Sequence, residues 1–297
     1  MRRVLTIFGP TASGKTAVAE AVADRVPAEL VSADAMQVYR GLPILTNQSE
    51  RPARLVGVVG LEETFSVAEY QPLAHAAVDE ILAAGRTPVV VGGTGLYLRA
   101  AVSNLELPPP PAPGSRERFE AIYDELGPVR AHEQLTEVDP AAASIVHAND
   151  RRRVVRALEL AEAGSSLLPL ANRLWSAETR HPTLIVGLEV DSGELARRIE
   201  RRTHEMFERG VEAEVQQALR GPVSQTALTI HGLNDVAELP REQATEALVA
   251  RTRRYAAYQR KWMRRIPGLV LVDAERPADE VATEILSVAE QVGSVAE

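Results

Sequence analysis

The 297-residue chain contains no cysteine. That excludes a disulfide scaffold, a cysteine-ligated zinc site and thiol catalysis, and it fits a reducing compartment. Long apolar runs are also missing. The first, Val4 to Phe8, stops at Gly9-Pro10, too short for a secretory leader. No run approaches the ~18 apolar residues of a membrane span. The expectation is a cytoplasmic protein with no membrane partner, acting as a monomer. Lysine is nearly absent, with only Lys15 and Lys261 in the whole chain. The positive charge is arginine, gathered at Arg151-Arg152-Arg153-Arg156, at Arg197-Arg198-Arg201-Arg202 and along Arg251 to Arg265. The net charge is −8, so these are local basic patches on an acidic chain. They suit a phosphate backbone, or else they are solvated helix faces in an arginine-favouring genome.

What is present is ordinary globular material: 45% apolar and 25% charged residues, enough for a sizeable core. Short β-branched runs alternate with helical periodicity. Val4 to Phe8 reads as a buried strand, Lys15 to Val26 as a helix, Glu29 to Ser32 as a second strand and Arg54 to Val59 as a candidate third. Ser66-Val67-Ala68-Glu69 is a capping box opening a helix to about Ala84. Pro88 to Val91 is a strand closed by Gly92-Gly93. Continuous apolar strands between helices predict a parallel sheet covered on both faces. The run Pro108 to Pro111 with Pro113 and Gly114 reads as a stiff linker or a domain edge. From Ser115 to Ala177 only helices are expected. Thr183 to Val190 returns to strand character, followed by a helix from Ser192 to about Gly210 and another from Val211 to Leu219. Thr226 to Asp235 reads as a loop, Arg241 to Arg265 as a long basic helix, Leu269 to Val272 as a last strand and Pro277 to Val292 as a closing helix. The predicted fold class is α/β: a doubly wound parallel sheet formed by residues 1–107 and 178–297, with a helical insertion over 108–177.

Gly9-Pro10-Thr11-Ala12-Ser13-Gly14-Lys15-Thr16 matches G-x-x-x-x-G-K-[ST], with a strand before it and a helix after it. Backbone N–H groups of such a loop converge on phosphate oxygens, and the helix dipole favours anions there. Lys15 would reach the terminal phosphate and the Thr16 hydroxyl would hold Mg²⁺. The loop does not name the reaction, because kinases, hydrolases and transferases all carry it. Asp34 follows the second strand, at the carboxyl edge where open α/β sheets bind ligands. A carboxylate there could hold Mg²⁺ through water, orient a kinase substrate, take a proton from a nucleophile, or simply cap a turn. Gly92-Gly93-Thr94-Gly95 ends another strand and reads as a close-approach loop or a plain turn.

Taken together, these segments resemble one family, the tRNA dimethylallyltransferases (tRNA isopentenyltransferases). The matching pieces are the 9–16 loop, Asp34-x-x-Gln37-Val38-Tyr39-Arg40-Gly41 and Val91-Gly92-Gly93-Thr94-Gly95-Leu96-Tyr97. His147-x-Asn149-Asp150-Arg151-Arg152-Arg153-x-x-Arg156-x-x-Glu159 and Arg198-x-x-x-Arg202-x-x-x-Met206-x-x-x-Gly210 follow in order, so the resemblance spans nearly the whole chain. It implies transfer of a dimethylallyl group from dimethylallyl diphosphate to N6 of the adenosine 3′ of the tRNA anticodon. The loop residues Gly9 to Thr16 would hold the diphosphate, aided by Mg²⁺ on Thr16. Arg198 and Thr94 would stabilise the leaving group, and Asp34 would take the amine proton. Asp34, Ala35, Met36 and Gln37 would meet the extruded base. The insertion would grip the anticodon stem-loop, with Arg151, Arg152 and Arg153 on its phosphates. On the basic helix, Tyr255, Tyr258 and Trp262 either stack on RNA or pack into the core.

Four segments depart from the family's pattern. Leu45-Thr46-Asn47-Gln48-Ser49 replaces Gly-Thr-Ala-Lys-Pro, and Ala53-Arg54-Leu55 replaces His-His-Leu. Ile230-His231-Gly232-Leu233-Asn234 replaces Ile-Gly-Tyr-Lys-Glu, and Ala257 to Trp262 replaces Lys-Arg-Gln-x-Thr-Trp. These fall where RNA or the prenyl chain is expected, so the reaction class is more legible than the tRNA set. The competing reading is a P-loop small-molecule kinase using ATP, with Asp34 on its substrate.

Overall fold

A computed structural model describes residues 3–294. The chain begins β1 (Val4–Phe8), α1 (Lys15–Ala23), β2 (Ala28–Ser32), α2 (Val67–Ala83), β3 (Thr87–Gly92) and α3 (Gly95–Val102). Four helices follow: α4 (Ser115–Val138), α5 (Pro140–Ala143), α6 (Arg151–Glu162) and α7 (Leu168–Leu174). The chain then runs β4 (Thr183–Glu189), α8 (Ser192–Glu208), α9 (Val211–Ala218), α10 (Leu233–Glu238), α11 (Arg241–Met263), β5 (Leu269–Asp273) and α12 (Ala278–Ser294). It forms two compact units, one reaching to Asn104 and resuming at Ala177, the other Leu105–Ser176.

The first unit is built on a five-stranded sheet of order β2-β3-β1-β4-β5, with every pairing parallel. β1 lies at its centre, with Ile7 opposite Val91 on one side and Val186 on the other. All five residues of β1 are buried, which is why the strand is a continuous apolar run rather than an alternating one. Ile7, Val22, Val89, Val186, Leu188, Ile199 and Ile285 form the core where α1, α8 and α12 meet the strands. Each such side chain contributes about 1.5–3 kcal/mol by leaving water. The capping box opens α2 as expected: Glu69 N–H donates to Ser66 Oγ, and Ser66 N–H donates to Glu69 Oε2 at 2.8 Å.

Two local expectations are corrected. Residues 54–59 do not make a strand. Arg54 and Val59 each form one isolated bridge, to Val31 and Tyr39, because Leu55 and Gly57 both take positive φ and break the extended run between them. The segment read as a loop at 226–235 contains a 3-10 turn at Ala227–Thr229 and the start of α10. Gly232, left-handed at φ 87°, sets the first turn of that short helix.

At the ends flanking the second unit, the first unit closes on itself. Arg180 N–H donates to Val102 O at 2.8 Å, and Ser103 Oγ donates to Glu178 O at 2.9 Å.

The second unit is helical. α4 is broken at Gly127, whose φ 78° and ψ 167° are non-helical, immediately before Pro128. Tyr123, Leu135, Val154, Leu158 and Leu160 make its own core. Glu159 is buried among them. Its carboxylate accepts from Arg116 at 2.8 Å and from Arg156 at 2.9 Å, which keeps it ionised despite burial. Among the described residues, no helix is long and apolar enough to cross a membrane.

Candidate functional site

The site forms where β1, β2 and β3 end. Phe8 leads into the 9–14 loop, in which Ala12 (φ 65°) and Gly14 (φ 90°) are left-handed. Gly14 caps α1 without any side-chain acceptor, and α1 has no acidic residue in its first turn. The first-turn N–H groups are therefore left for an anion. Ser13 is 1% exposed, and its Oγ has no hydrogen-bond partner among the described residues. A buried orphan hydroxyl in such a loop is what a phosphate oxygen would satisfy.

Lys15 Nζ donates to Pro10 O at 2.8 Å. Burial pushes its ammonium down to about 8; the Asp34 carboxylate opposes that shift and the Arg202 guanidinium adds to it. Arg202 itself donates to Thr11 Oγ1, and burial lowers its pKa too. Two cations held partly desolvated around one loop are electrostatically incomplete without an anion. Arg198, one turn earlier on α8, is held by Glu194 Oε1 at 2.8 Å and by Ala274 O at 3.4 Å. The i, i+4 spacing puts both arginines on one face of α8.

Asp34 follows β2, and its Oδ1 accepts Met36 N–H at 2.9 Å, which fixes the carboxylate. Ala35 N–H donates to Thr94 Oγ1 at 3.2 Å, and Thr94 Oγ1 lies 3.3 Å from the Tyr255 hydroxyl. His231 packs against Tyr255 with the rings tilted by 48° and their centroids 4.4 Å apart. The Gln37 side chain is committed within the protein. Its amide oxygen accepts from Ser32 Oγ at 3.0 Å, and its nitrogen donates to Thr46 O and Asn47 O at 3.2 and 3.0 Å.

A Cβ added at Gly92 would sit 2.1 Å from Ala33 O, a backbone atom with no freedom to withdraw. Gly92→Ala should therefore cost about 2–4 kcal/mol by forcing β2 and β3 apart, measured as a lowered thermal midpoint. An unchanged midpoint would mean the two strand ends separate freely.

These groups surround one cavity of about 610 Å³. Thr11, Ala12, Gly14, Lys15 and Thr16 line it together with Asp34, Met36, Gln37, Arg198 and Arg202. His231 and Tyr255 line it as well, and Thr94 adjoins it through Ala35 and Tyr255. Gly9, Pro10 and Ser13 form the loop's base. The arrangement offers one cationic wall for a phosphate-bearing group and, beside it, a carboxylate able to receive a proton.

Arg151, Arg152 and Arg153 lie in the second unit, at the start of α6. Arg151 pairs with Asp124 at 2.7 Å and with Glu120 at 3.3 Å, and Arg156 pairs with Glu159. Arg152 and Arg153 are exposed, with no ion pair among the described residues. The aromatics of α11 differ in burial. Tyr255 and Trp262 pack inward, the latter against Gly95, while Tyr258 is 54% exposed. Arg202 and Gln259 were given no site role at the level of sequence, and Tyr255 was placed only as stacking on RNA or packing into the core. Arg202 carried the helical spacing from Arg198 as a signal, whereas the contacts of Tyr255 and Gln259 span more than a hundred and fifty residues.

The sequence profile of a family described as IPP transferase matches residues 37–266, and one described as isopentenyl transferase matches residues 2–55. A tRNA dimethylallyltransferase of Corynebacterium efficiens is 39% identical over 296 residues, spanning 95% of this chain and 98% of that protein. One from Salinispora tropica is 38% identical, spanning 91% of this chain and 88% of that one. Among solved structures, the tRNA isopentenylpyrophosphate transferase of Bacillus halodurans superposes with a TM-score of 0.71 at 29% identity, covering 99% of this chain and 98% of its own. A eukaryotic dimethylallyltransferase captured acting on tRNA gives a TM-score of 0.74 at 25% identity, covering 92% and 74%.

Proposed function

The chain belongs to the IPP transferase family, the tRNA dimethylallyltransferases, and from that we propose the reaction its cavity carries out. It transfers the dimethylallyl group of dimethylallyl diphosphate to N6 of the adenosine 3′ of the anticodon in tRNA. The observation that carries this reading is the convergence of Lys15, Arg202 and the 9–14 loop with Asp34 in one cavity. A kinase reading lacks comparable support, since the relatives are transferases of this one kind.

The allylic C–O bond breaks and the N6–C bond forms. The diphosphate takes up the departing electron pair against the loop N–H groups, Lys15, Arg202 and Arg198. Asp34, fixed by Met36 N–H, receives the proton that N6 releases. Thr94 holds the Asp34–Ala35 backbone beside the loop through its bond from Ala35. Thr16 and Asp34 both line the cavity, and the Thr16 hydroxyl would hold a Mg²⁺ there. Such a site fits an ion that keeps most of its waters, and when bound it neutralises charge on the diphosphate. The extruded adenine enters beside Asp34, Ala35 and Met36. Gln37 acts indirectly, holding the 46–47 backbone that lines the cavity.

Arg152 and Arg153 supply phosphate contacts for the anticodon stem-loop, while Arg151 is occupied in shaping α6 against α4. Replacing Arg152 and Arg153 together by alanine should weaken tRNA binding and flatten its salt dependence by about one to two in log–log slope. An unaltered slope would place both on a merely solvated face. The reaction itself is tested by mass analysis of nucleosides from tRNA incubated with the protein and dimethylallyl diphosphate. A dimethylallyl-adenosine product is expected, and unmodified adenosine would overturn the reading.

A further inference from the structure

α11 presents two contrasting faces. Ala244, Leu248, Thr252, Ala256, Gln259 and Met263 are its buried stripe, at helical spacing. Five of these are apolar or small, and Gln259 is the exception. It is 2% exposed, so both ends of its amide must be bonded within the protein. Its Oε1 accepts Thr11 N–H at 2.7 Å, inside the phosphate loop, and its Nε2 donates to Gly93 O at 2.9 Å. The fit is tight, since a Cβ at Gly93 would lie 2.2 Å from Gln259 Nε2. One turn earlier Tyr255 reaches Thr94, and nearly one turn later Trp262 covers Gly95. A single helix face thus grips the phosphate loop and the loop after β3 together.

We propose that Gln259 is a positioning residue: by bonding Thr11 N–H and Gly93 O at once, it holds the phosphate loop in the shape that receives the donor's diphosphate. The inference rests on the reading of that loop as the diphosphate cradle. Both ends of the Gln259 amide are committed to backbone groups, at Thr11 and Gly93. Its bond removes the Thr11 N–H from the set facing the ligand and fixes where Ser13, Gly14 and Lys15 stand.

The test compares the full-length wild-type protein with Gln259→Met, which keeps length but loses both bonds, and Gln259→Glu, which keeps an acceptor for Thr11. Thermal melts run in parallel establish that each is folded. In Gln259→Met the Kd for dimethylallyl diphosphate and for inorganic diphosphate should both rise roughly tenfold, while KM for tRNA stays within about twofold. Hydrogen exchange at Thr11 should accelerate at least tenfold in Gln259→Met and stay protected in Gln259→Glu. If Gln259→Met folds poorly, the Thr11 exchange of Gln259→Glu decides alone. Unchanged diphosphate affinity in a folded Gln259→Met, or equally fast Thr11 exchange in both variants, overturns the proposal while leaving the reaction intact. A wild-type protein that binds neither dimethylallyl diphosphate nor diphosphate overturns the cradle reading and this proposal with it.

Discussion

Asp34→Asn should yield a folded protein that binds tRNA and donor normally yet turns over about 10²- to 10⁴-fold more slowly. The substitution keeps size and planarity. The amide that replaces the carboxylate retains an oxygen for the Met36 N–H that orients the wild-type side chain, so the 34–37 turn should persist. What the variant loses is the negative charge and the ability to accept the N6 proton as the new bond forms. Because that interaction strengthens only in the transition state, kcat should fall with KM nearly unchanged. Single-turnover product formation on tRNA, with binding measured separately, checks this. A rate within a few-fold of wild type would remove Asp34 from the proton-accepting role.

Lys15→Met should weaken dimethylallyl diphosphate binding by about 10²-fold or more, since it deletes one of the cations lining the cavity. It should also alter stability, and the sign follows from the pKa. In the fold Lys15 titrates at about 8, below its ordinary value of 10.5, because burial penalises the charged form. Between those two values the unfolded chain binds more protons than the folded one, so stability without ligand rises with pH across this window. Below about 8 both states are charged and the penalty stands in full. The methionine variant lacks it, so the variant should be the more stable protein at pH 7 and lose that advantage as pH climbs toward 10.5. Denaturant melts of both proteins across this range test the difference. Diphosphate favours the charged ammonium, so donor binding should take up a proton above about pH 8, and affinity should decline there. Calorimetry in buffers of different ionisation enthalpy reads that uptake, and its absence would detach Lys15 from the anion.

The strands were legible because burial on both faces demands unbroken apolar runs, and Val4–Phe8 has no other use. The 9–16 loop was legible because its chemistry is local, from glycine to lysine in consecutive residues. Segment 54–59 misled because its valines look extended, while the positive φ at Leu55 is invisible in composition. The six-residue α10 went unseen because it has too few turns to show a period. Arg198 and Arg202 share one face of α8, yet only the fold shows that Arg202 is the one reaching Thr11. Gln37 read as a polar group able to meet a base, while its bonds to Ser32 Oγ and to the Thr46 and Asn47 carbonyls could not be read from sequence. Gln259 sits where the family's pattern also carries a glutamine, but nothing local says what it bonds. A glutamine in a basic helix looks solvent-facing until residues 11 and 93 are folded against it.

The bonds from Arg180 to Val102 and from Ser103 to Glu178 stitch the sheet-bearing unit shut beneath the point where the chain departs and returns. Such a seam makes residues 105–176 an exchangeable cassette: a few flexible residues could stand in for it, and a differently shaped helical module could be grafted there without unpicking a single strand.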